Sequence, residues 1–263
     1  MSRPLALVTG ASGGIGEALA YAFARGGYDL LLVARSEAGL ARVAARSAEL
    51  GARALIHPAD LQDPTAIDAL HARTTLEGLP VEALVNNAGY GLAGDFLGES
   101  RDDQLGMVDL NVRALTDLSH RYGAEMRAQG RGGVLNVASV AAFQPGPFMA
   151  VYYATKAYVL SFTEALNHEL RGTGVHATAL CPGPVETGFQ ARAAFDNSMR
   201  LLKAVQPMSA DAVARAGFEG FRRRRPVVIP GLSNAVMARS APLTPRPVLL
   251  GVIEALQKKR MSR

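Results

Sequence analysis

Tyr152 and Lys156 stand four residues apart in a stretch with helical patterning, so a phenol and an ammonium share one face, one turn apart. A phenol with an ordinary pKa near 10 is a poor base at neutral pH, and a nearby cation favours its phenolate. Lowering that pKa by roughly three units requires about 4 kcal/mol of preferential stabilisation of the charged form. One close lysine in a partly desolvated pocket supplies much of it. Ser139 ends the apolar run Val134-Leu135-Asn136-Val137-Ala138, which predicts a hydroxyl at a strand's carboxyl end, where open parallel sheets bind ligands. The three side chains could converge on one carbonyl group. Tyr153, three residues before Lys156, competes with Tyr152 on spacing alone.

A second constellation lies near the start of the chain. The apolar run Leu5 to Val8 leads into Thr9-Gly10-Ala11-Ser12-Gly13-Gly14-Ile15-Gly16 and then a helical pattern from Glu17 to Arg25. A strand, a glycine-rich turn and a helix amino terminus make a phosphate cradle, because glycines let the backbone approach a pyrophosphate and the free N–H groups face the anion. The spacing of Gly10, Gly14 and Gly16 is G-x-x-x-G-x-G rather than the commoner G-x-G-x-x-G. At the end of the next strand, where an acid would favour the ribose 2′-hydroxyl of NAD, Ala34 is followed by Arg35. With Ser12 as a second polar group, this predicts NADP (NADPH) over NAD. A third strand leads to Asp60-Leu61 in a position suited to an adenine contact, and Asp60 could equally be a turn residue before Asp63-Pro64. Asn87, Ala88 and Gly89 follow a fourth and suit close packing against a ribose. Pro182-Gly183-Pro184-Val185-Glu186-Thr187 forms a rigid turn suited to the nicotinamide side.

The elements that must position these groups alternate strand and helix, which predicts an α/β fold with a parallel sheet. Strands are expected at Leu5–Val8, Tyr28–Ala34, Arg53–His57, Val81–Val85, Gly132–Ser139 and Val175–Cys181, with an edge strand at Pro226–Pro230. Helices are expected at Glu37–Leu50, from Pro64, at Asp103–Gln129, at Tyr152–Arg171 and from a Ser209 cap to about Arg223. Asn111, unfavourable by propensity inside the long helix, invites a reason such as a held water or a local kink. Residues 1–231 read as one dinucleotide-binding and catalytic domain, with a substrate lid at about 185–208. Residues 232–263 read as a helical extension packed on the same domain, whose apolar face at Leu249, Leu250, Ile253 and Leu256 is short for a membrane contact.

The net charge of +5 arises from scattered residues apart from Arg222–Arg225 and Lys258-Lys259-Arg260, and Trp is absent, which argues against nucleic acid as a partner. The single cysteine, Cys181, excludes an intrachain disulfide and fits a reducing compartment. No apolar run is long enough to span a bilayer, and a cytoplasmic protein is expected. The five histidines lack partners at metal-ligand spacing, so no metal is assigned.

Six motifs in order, Thr9-Gly10-x-x-x-Gly14-x-Gly16, Asn86-Asn87-Ala88-Gly89, Asn111, Ser139, Tyr152-x-x-x-Lys156 and Pro182-Gly183-x-x-x-Thr187, resemble the short-chain dehydrogenase/reductase family from Leu5 to about Ile229. Val33-Ala34-Arg35-Ser36 and Leu180-Cys181-Pro182-Gly183-Pro184 look like its broad DltE-type group of NADP-dependent reductases. The resemblance implies a Rossmann-type, doubly wound seven-stranded parallel sheet in the order 3-2-1-4-5-6-7 with helices on both faces. It also implies an oxidoreductase acting on a carbonyl or secondary alcohol, as a homodimer or homotetramer. In that scheme Tyr152 handles the proton, Lys156 lowers its pKa and holds the nicotinamide ribose, Ser139 polarises the carbonyl and Asn111 positions a water relay. Two readings from other classes are a non-catalytic NADPH-binding regulator and a basic module for nucleic acid or membrane.

If Arg35 meets a 2′-phosphate, Arg35→Ala raises the Kd for NADPH far more than that for NADH, and titration of both nucleotides against the variant measures the difference.

Overall fold

The computed structural model describes residues 3–185 and 207–261. The strands are β1 (Leu5–Thr9), β2 (Asp29–Ala34), β3 (Ala54–Pro58), β4 (Val81–Asn86), β5 (Gly132–Val137), β6 (Val175–Leu180) and β7 (Val227–Val228). They form one seven-stranded sheet in the order β3-β2-β1-β4-β5-β6-β7, with every neighbouring pair parallel. This is the Rossmann-type order that the motifs implied. The helices are α1 (Gly14–Arg25), α2 (Glu37–Glu49), α3 (Pro64–Leu76), α4 (Arg101–Val108), α5 (Leu115–Gln129), α6 (Ala150–Glu169), α7 (Ala210–Arg222), α8 (Leu232–Ser240) and α9 (Arg246–Met261).

Strands buried on both faces read as continuous apolar runs, and their period of two deals alternate residues to opposite sides. In β2, Leu30 and Leu32 join the core under α1 and α7, with Leu19, Phe23 and Phe221. Leu31 and Val33 join the opposite core under α3 and α5, with Ile67, Leu118 and Tyr122. Phe23 is fully buried and meets the rings of Tyr28, Phe218 and Phe221 at 5.2, 4.9 and 5.2 Å. That cluster fixes α1, and with it the glycine turn, against α7.

The strand order reverses direction between β1 and β4, opening the crevice where such sheets bind ligands. Thr9 and Asn87 staple its two walls together. The amides of Asn87 and Ala88 each donate to Thr9 Oγ1 at 3.0 Å. Asn87 Nδ2 donates to the Thr9 carbonyl at 3.0 Å. One strand further, Asn86 Nδ2 donates to Asn136 Oδ1 at 2.9 Å and Asn136 Nδ2 to Thr163 Oγ1 at 2.9 Å. This buried chain of amides joins β4, β5 and α6. Asn86 Oδ1 has no protein partner and lines a cavity of about 10 Å³ beside Thr9 and Leu118, large enough for about one water.

Three features differ from the sequence expectation. The helix expected from Asp103 to Gln129 begins at Arg101, capped by Ser100, and is interrupted by a π-helical turn at Asp109–Ala114. Strand β5 ends at Val137, and Ser139, still extended, caps a short 3-10 turn, Val140–Phe143, its hydroxyl accepting from Ala141 N at 3.1 Å. Helix α8 was not foreseen: it starts from Gly231 (φ 87) without a side-chain cap, and the prolines behind it obscure a nine-residue pattern. The lid expected at 185–208, with its helix Phe189–Met208, lies outside the described residues except at its ends.

Asn136→Ala removes both an acceptor and a donor from the buried amide chain and strands Asn86 Nδ2 with one partner fewer. A loss of about 2–3 kcal/mol in unfolding free energy is expected, measured as a lower urea midpoint at unchanged m-value.

Candidate active site

Lys156 is 6% exposed and its Nζ donates to the Val137 carbonyl at 2.8 Å. A buried ammonium needs such an acceptor, and the end of β5 supplies one just past the last β4 pairing, Asn86 with Asn136. The same Nζ lies 5.9 Å from the centre of the Tyr152 ring. The hydroxyl of Ser139 hydrogen-bonds the Tyr152 phenol, so Ser139, Tyr152 and Lys156 meet as their spacing suggested. Tyr153 turns elsewhere: its ring packs on Gly146 and its hydroxyl receives a hydrogen bond from Gln257 Nε2 at 3.2 Å.

Burial dominates the electrostatics of the pair. Tyr152 is pushed up to about 12, with burial the largest cause and Ser139 pulling the other way. Burial also brings the Lys156 ammonium down to about 8. Cys181 is buried in the same neighbourhood and is pushed up to about 12, chiefly by burial.

Asn111 occupies the π-helical turn and is 1% exposed. Its Nδ2 donates to the Tyr90 carbonyl at 2.9 Å and to Thr155 Oγ1 at 3.1 Å, and its Oδ1 accepts from Tyr90 N at 3.1 Å. The widened turn explains why an asparagine interrupts this helix: it ties the loop after β4 to α6 beside the Tyr–Lys pair. Gly89 is squeezed between them. A Cβ there would lie 2.8 Å from Asn111 Oδ1 and 3.6 Å from Lys156 Nζ.

At the other end of the crevice, Gly10 (φ 64) and Gly14 (φ 58) adopt left-handed backbone, and a Cβ on Gly16 would sit 2.2 Å from the Gly10 carbonyl oxygen. Helix α1 begins after Gly13 with no side-chain cap, leaving its first N–H groups to face the crevice. Ile15 packs on the core. Ser12 touches Gly39 of α2 through its Cβ. Arg35 and Asp60 are half-exposed or more and form an ion pair at 3.6 Å, so both stand at the same sheet edge. Leu61 is 4% exposed and its side chain belongs to the core cluster. Pro182 anchors its turn by accepting from Val140 N at 3.0 Å, and Val185 is buried and bridges to Met208. Thr187 lies outside the described residues.

Three contributors were not foreseen. Arg42, on α2, donates to the Ser12 carbonyl at 3.1 Å and to Glu17 Oε2 at 2.7 Å, pinning the glycine turn from behind. Asn234, on α8, is 2% exposed, packs on Gly183 and leaves its Oδ1 without a protein partner. Phe148 adopts φ 61, rare for an aromatic residue, and its carbonyl accepts from Gly94 N at 2.9 Å, joining the two loops that flank Tyr152. Arg42 is a cation on the helix that follows the glycine turn and β2, a placement that could have marked it. No sequence signal marks the other two. Among the described residues no cluster of three or more His, Cys, Asp or Glu could hold a metal.

Residues 4–197 match the family model described as short chain dehydrogenase. Among solved structures, the chain superposes with a TM-score of 0.82 and 35% identity on a short-chain dehydrogenase from Sphingobium yanoikuyae in complex with NADPH, covering 97% of this chain and 95% of that one. Sulfoacetaldehyde reductase 2 from Chromohalobacter salexigens is 35% identical over 224 residues, 81% of this chain and 86% of the relative. The protein named "Probable oxidoreductase EphD" from Mycobacterium tuberculosis is 34% identical over 193 residues, 73% of this chain; the chain spans only 32% of that relative's length.

The lysine gives a pH dependence with a definite sign. Its folded pKa of about 8 lies below the ordinary 10.5, so between those values the unfolded chain binds more protons and stability rises with pH. Compared with Lys156→Met, which cancels the opposite contributions of Tyr152 and Cys181, the wild-type unfolding free energy is expected to rise by about 2–3 kcal/mol from pH 8 to pH 10. Urea titrations of both proteins across that range measure it.

Proposed function

Because this chain belongs to the short-chain dehydrogenase family, we propose that it is an NADP-dependent reductase of apolar ketones or aldehydes in which Tyr152 delivers the proton. The observation that carries the reading is the meeting of Ser139, Tyr152 and Lys156 at the carboxyl ends of β5 and α6's first turns, beside a glycine turn built for a phosphate.

The residues present fit the cofactor. The uncapped start of α1 and the left-handed glycines offer N–H groups to a pyrophosphate. Arg35 stands where a 2′-phosphate is accommodated, with Asp60 beside it. Bound there, NADPH supplies the hydride. Ser139 polarises the substrate carbonyl, and Tyr152, kept neutral by burial, protonates the oxygen as negative charge develops on it. Lys156 holds the end of β5 in register with α6 and offers its remaining N–H groups toward the ribose. Asn111 and Gly89 keep the space between lysine and loop narrow.

The walls support an apolar substrate. Phe143, Phe148 and Met149 precede the catalytic helix, and the loop from Tyr90 to Leu97 faces them across the Gly94–Phe148 hydrogen bond. Homo-oligomerisation belongs to the same reading, through the surface of α4 and α6 where Leu105, Val108 and Tyr158 are exposed.

Tyr152→Phe is expected to lower kcat by roughly 10³-fold or more while leaving the NADPH Kd within a few-fold of wild type. Turnover is followed by NADPH oxidation against a panel of ketones and aldehydes. Undiminished activity in the variant would exclude the phenol as proton donor, and NADPH binding with no turnover on any carbonyl compound would favour a regulatory nucleotide-binding role.

A further inference from the structure

The net charge of this protein is not spread evenly. Residues 232–263 contain six basic side chains, Arg239, Arg246, Lys258, Lys259, Arg260 and Arg263, against a single acid, Glu254. The rest of the chain holds equal numbers of the two signs, so the whole excess of +5 belongs to this terminal stretch.

The same stretch exposes an unusual share of carbon. Helix α9 packs on the domain through Leu249, Ile253 and Gln257, spaced at i, i+4 and i+8, which are 7%, 7% and 3% exposed. Its outward side carries Val248 and Val252, exposed by 57% and 53%. The preceding turn and α8 add Leu243 at 85%, Leu232 at 81% and Val236 at 59%. Arg239 and Arg246, both exposed, stand among them. Branched apolar residues left in water beside unopposed cations are the composition of a helix that lies on an anionic interface.

We propose that the C-terminal extension, α8 to α9, is a peripheral docking surface for anionic lipid. Valines and leucines enter the boundary between headgroups and acyl chains, while Arg239 and Arg246 meet lipid phosphates. Charge decides between occupants. A symmetric contact between two copies through this face would set like charges against one another, and a nucleic acid would leave the apolar stripe in water. An anionic bilayer satisfies both features. No helix among the described residues is long and apolar enough to cross a membrane, so the contact is interfacial.

The surface is mechanically continuous with the candidate active site. Ala241, Leu249 and Ile253 pack against Phe143, and Gln257 Nε2 bonds the hydroxyl of Tyr153, next to Tyr152. Docking would therefore bring the apolar loop before α6 close to the bilayer, where a carbonyl compound dissolved in lipid is most concentrated. The binding itself does not rest on the hydride-transfer reading and is scored without turnover.

Co-sedimentation of the full chain with vesicles tests the proposal. Phosphatidylglycerol mixed with phosphatidylcholine is compared with phosphatidylcholine alone, over a range of salt. Binding to the anionic vesicles only, weakening as salt rises, is expected. Arg239→Glu, and separately the triple change Leu243→Ser, Val248→Ser and Val252→Ser, should each reduce partitioning roughly ten-fold or more, with circular dichroism and NADPH binding unchanged. Absence of binding to anionic vesicles at low salt would overturn the proposal, as would equal binding to both vesicle types. If the substitutions dissociate an oligomer without altering vesicle binding, the face is a contact between copies and the proposal fails.

Discussion

A positive charge sealed inside a protein has to be answered within hydrogen-bonding distance, and here the carbonyl of Val137 answers Lys156. Much of the site follows from that one bond. The β4 pairing ends at Asn86 with Asn136, so the Val137 carbonyl is left to α6, and Ser139 caps the 3-10 turn that bends the chain just beyond. The bend delivers the serine hydroxyl to Tyr152. Helix α6 is thereby held at a fixed height against the sheet, and the phenol one turn before the lysine is carried to the crevice. Burial sets the chemistry of both groups in opposite directions, raising the phenol and lowering the ammonium, because a low-dielectric setting disfavours whichever form is charged.

The surrounding polar network resists collapse of this arrangement. Thr9, Asn87, Asn86, Asn136 and Thr163 form cross-links from β1 to α6, running across the strands that flank the point where the sheet order reverses. Buried amides of this kind are costly when half satisfied and rigid when paired. The two cores packed on either face hold the frame, while these cross-links set the width of the crevice.

Much of the fold was legible because the strands are short apolar runs closed by turn-forming residues such as glycine, proline, asparagine or serine, and because Gly10, Gly14 and Gly16 sit where only glycine fits. The Tyr–Lys spacing also read correctly as one helical face. What could not be read was whatever depends on how far a group is from water. Burial raises the phenol and lowers the ammonium, which spacing alone does not reveal. The burial of the Leu61 side chain with the core is likewise invisible from its place after β3. The π-helical turn left one mark in the sequence, an asparagine where a helix should not want one. Asn234 and Gln257 left none, since their meaning comes from partners more than fifty and a hundred residues away.

Those two residues change what counts as the edge of this molecule. Gly183 has no room for a side chain because Asn234 fills it, and Tyr153 rests on Gln257. The segment from α8 to Gln257 thus buttresses the turn after β6 and the start of α6. Changes at that end would be felt at both supports before they reached the glycine turn. A family built this way can diversify its substrates by varying its tail, with the reacting groups held constant.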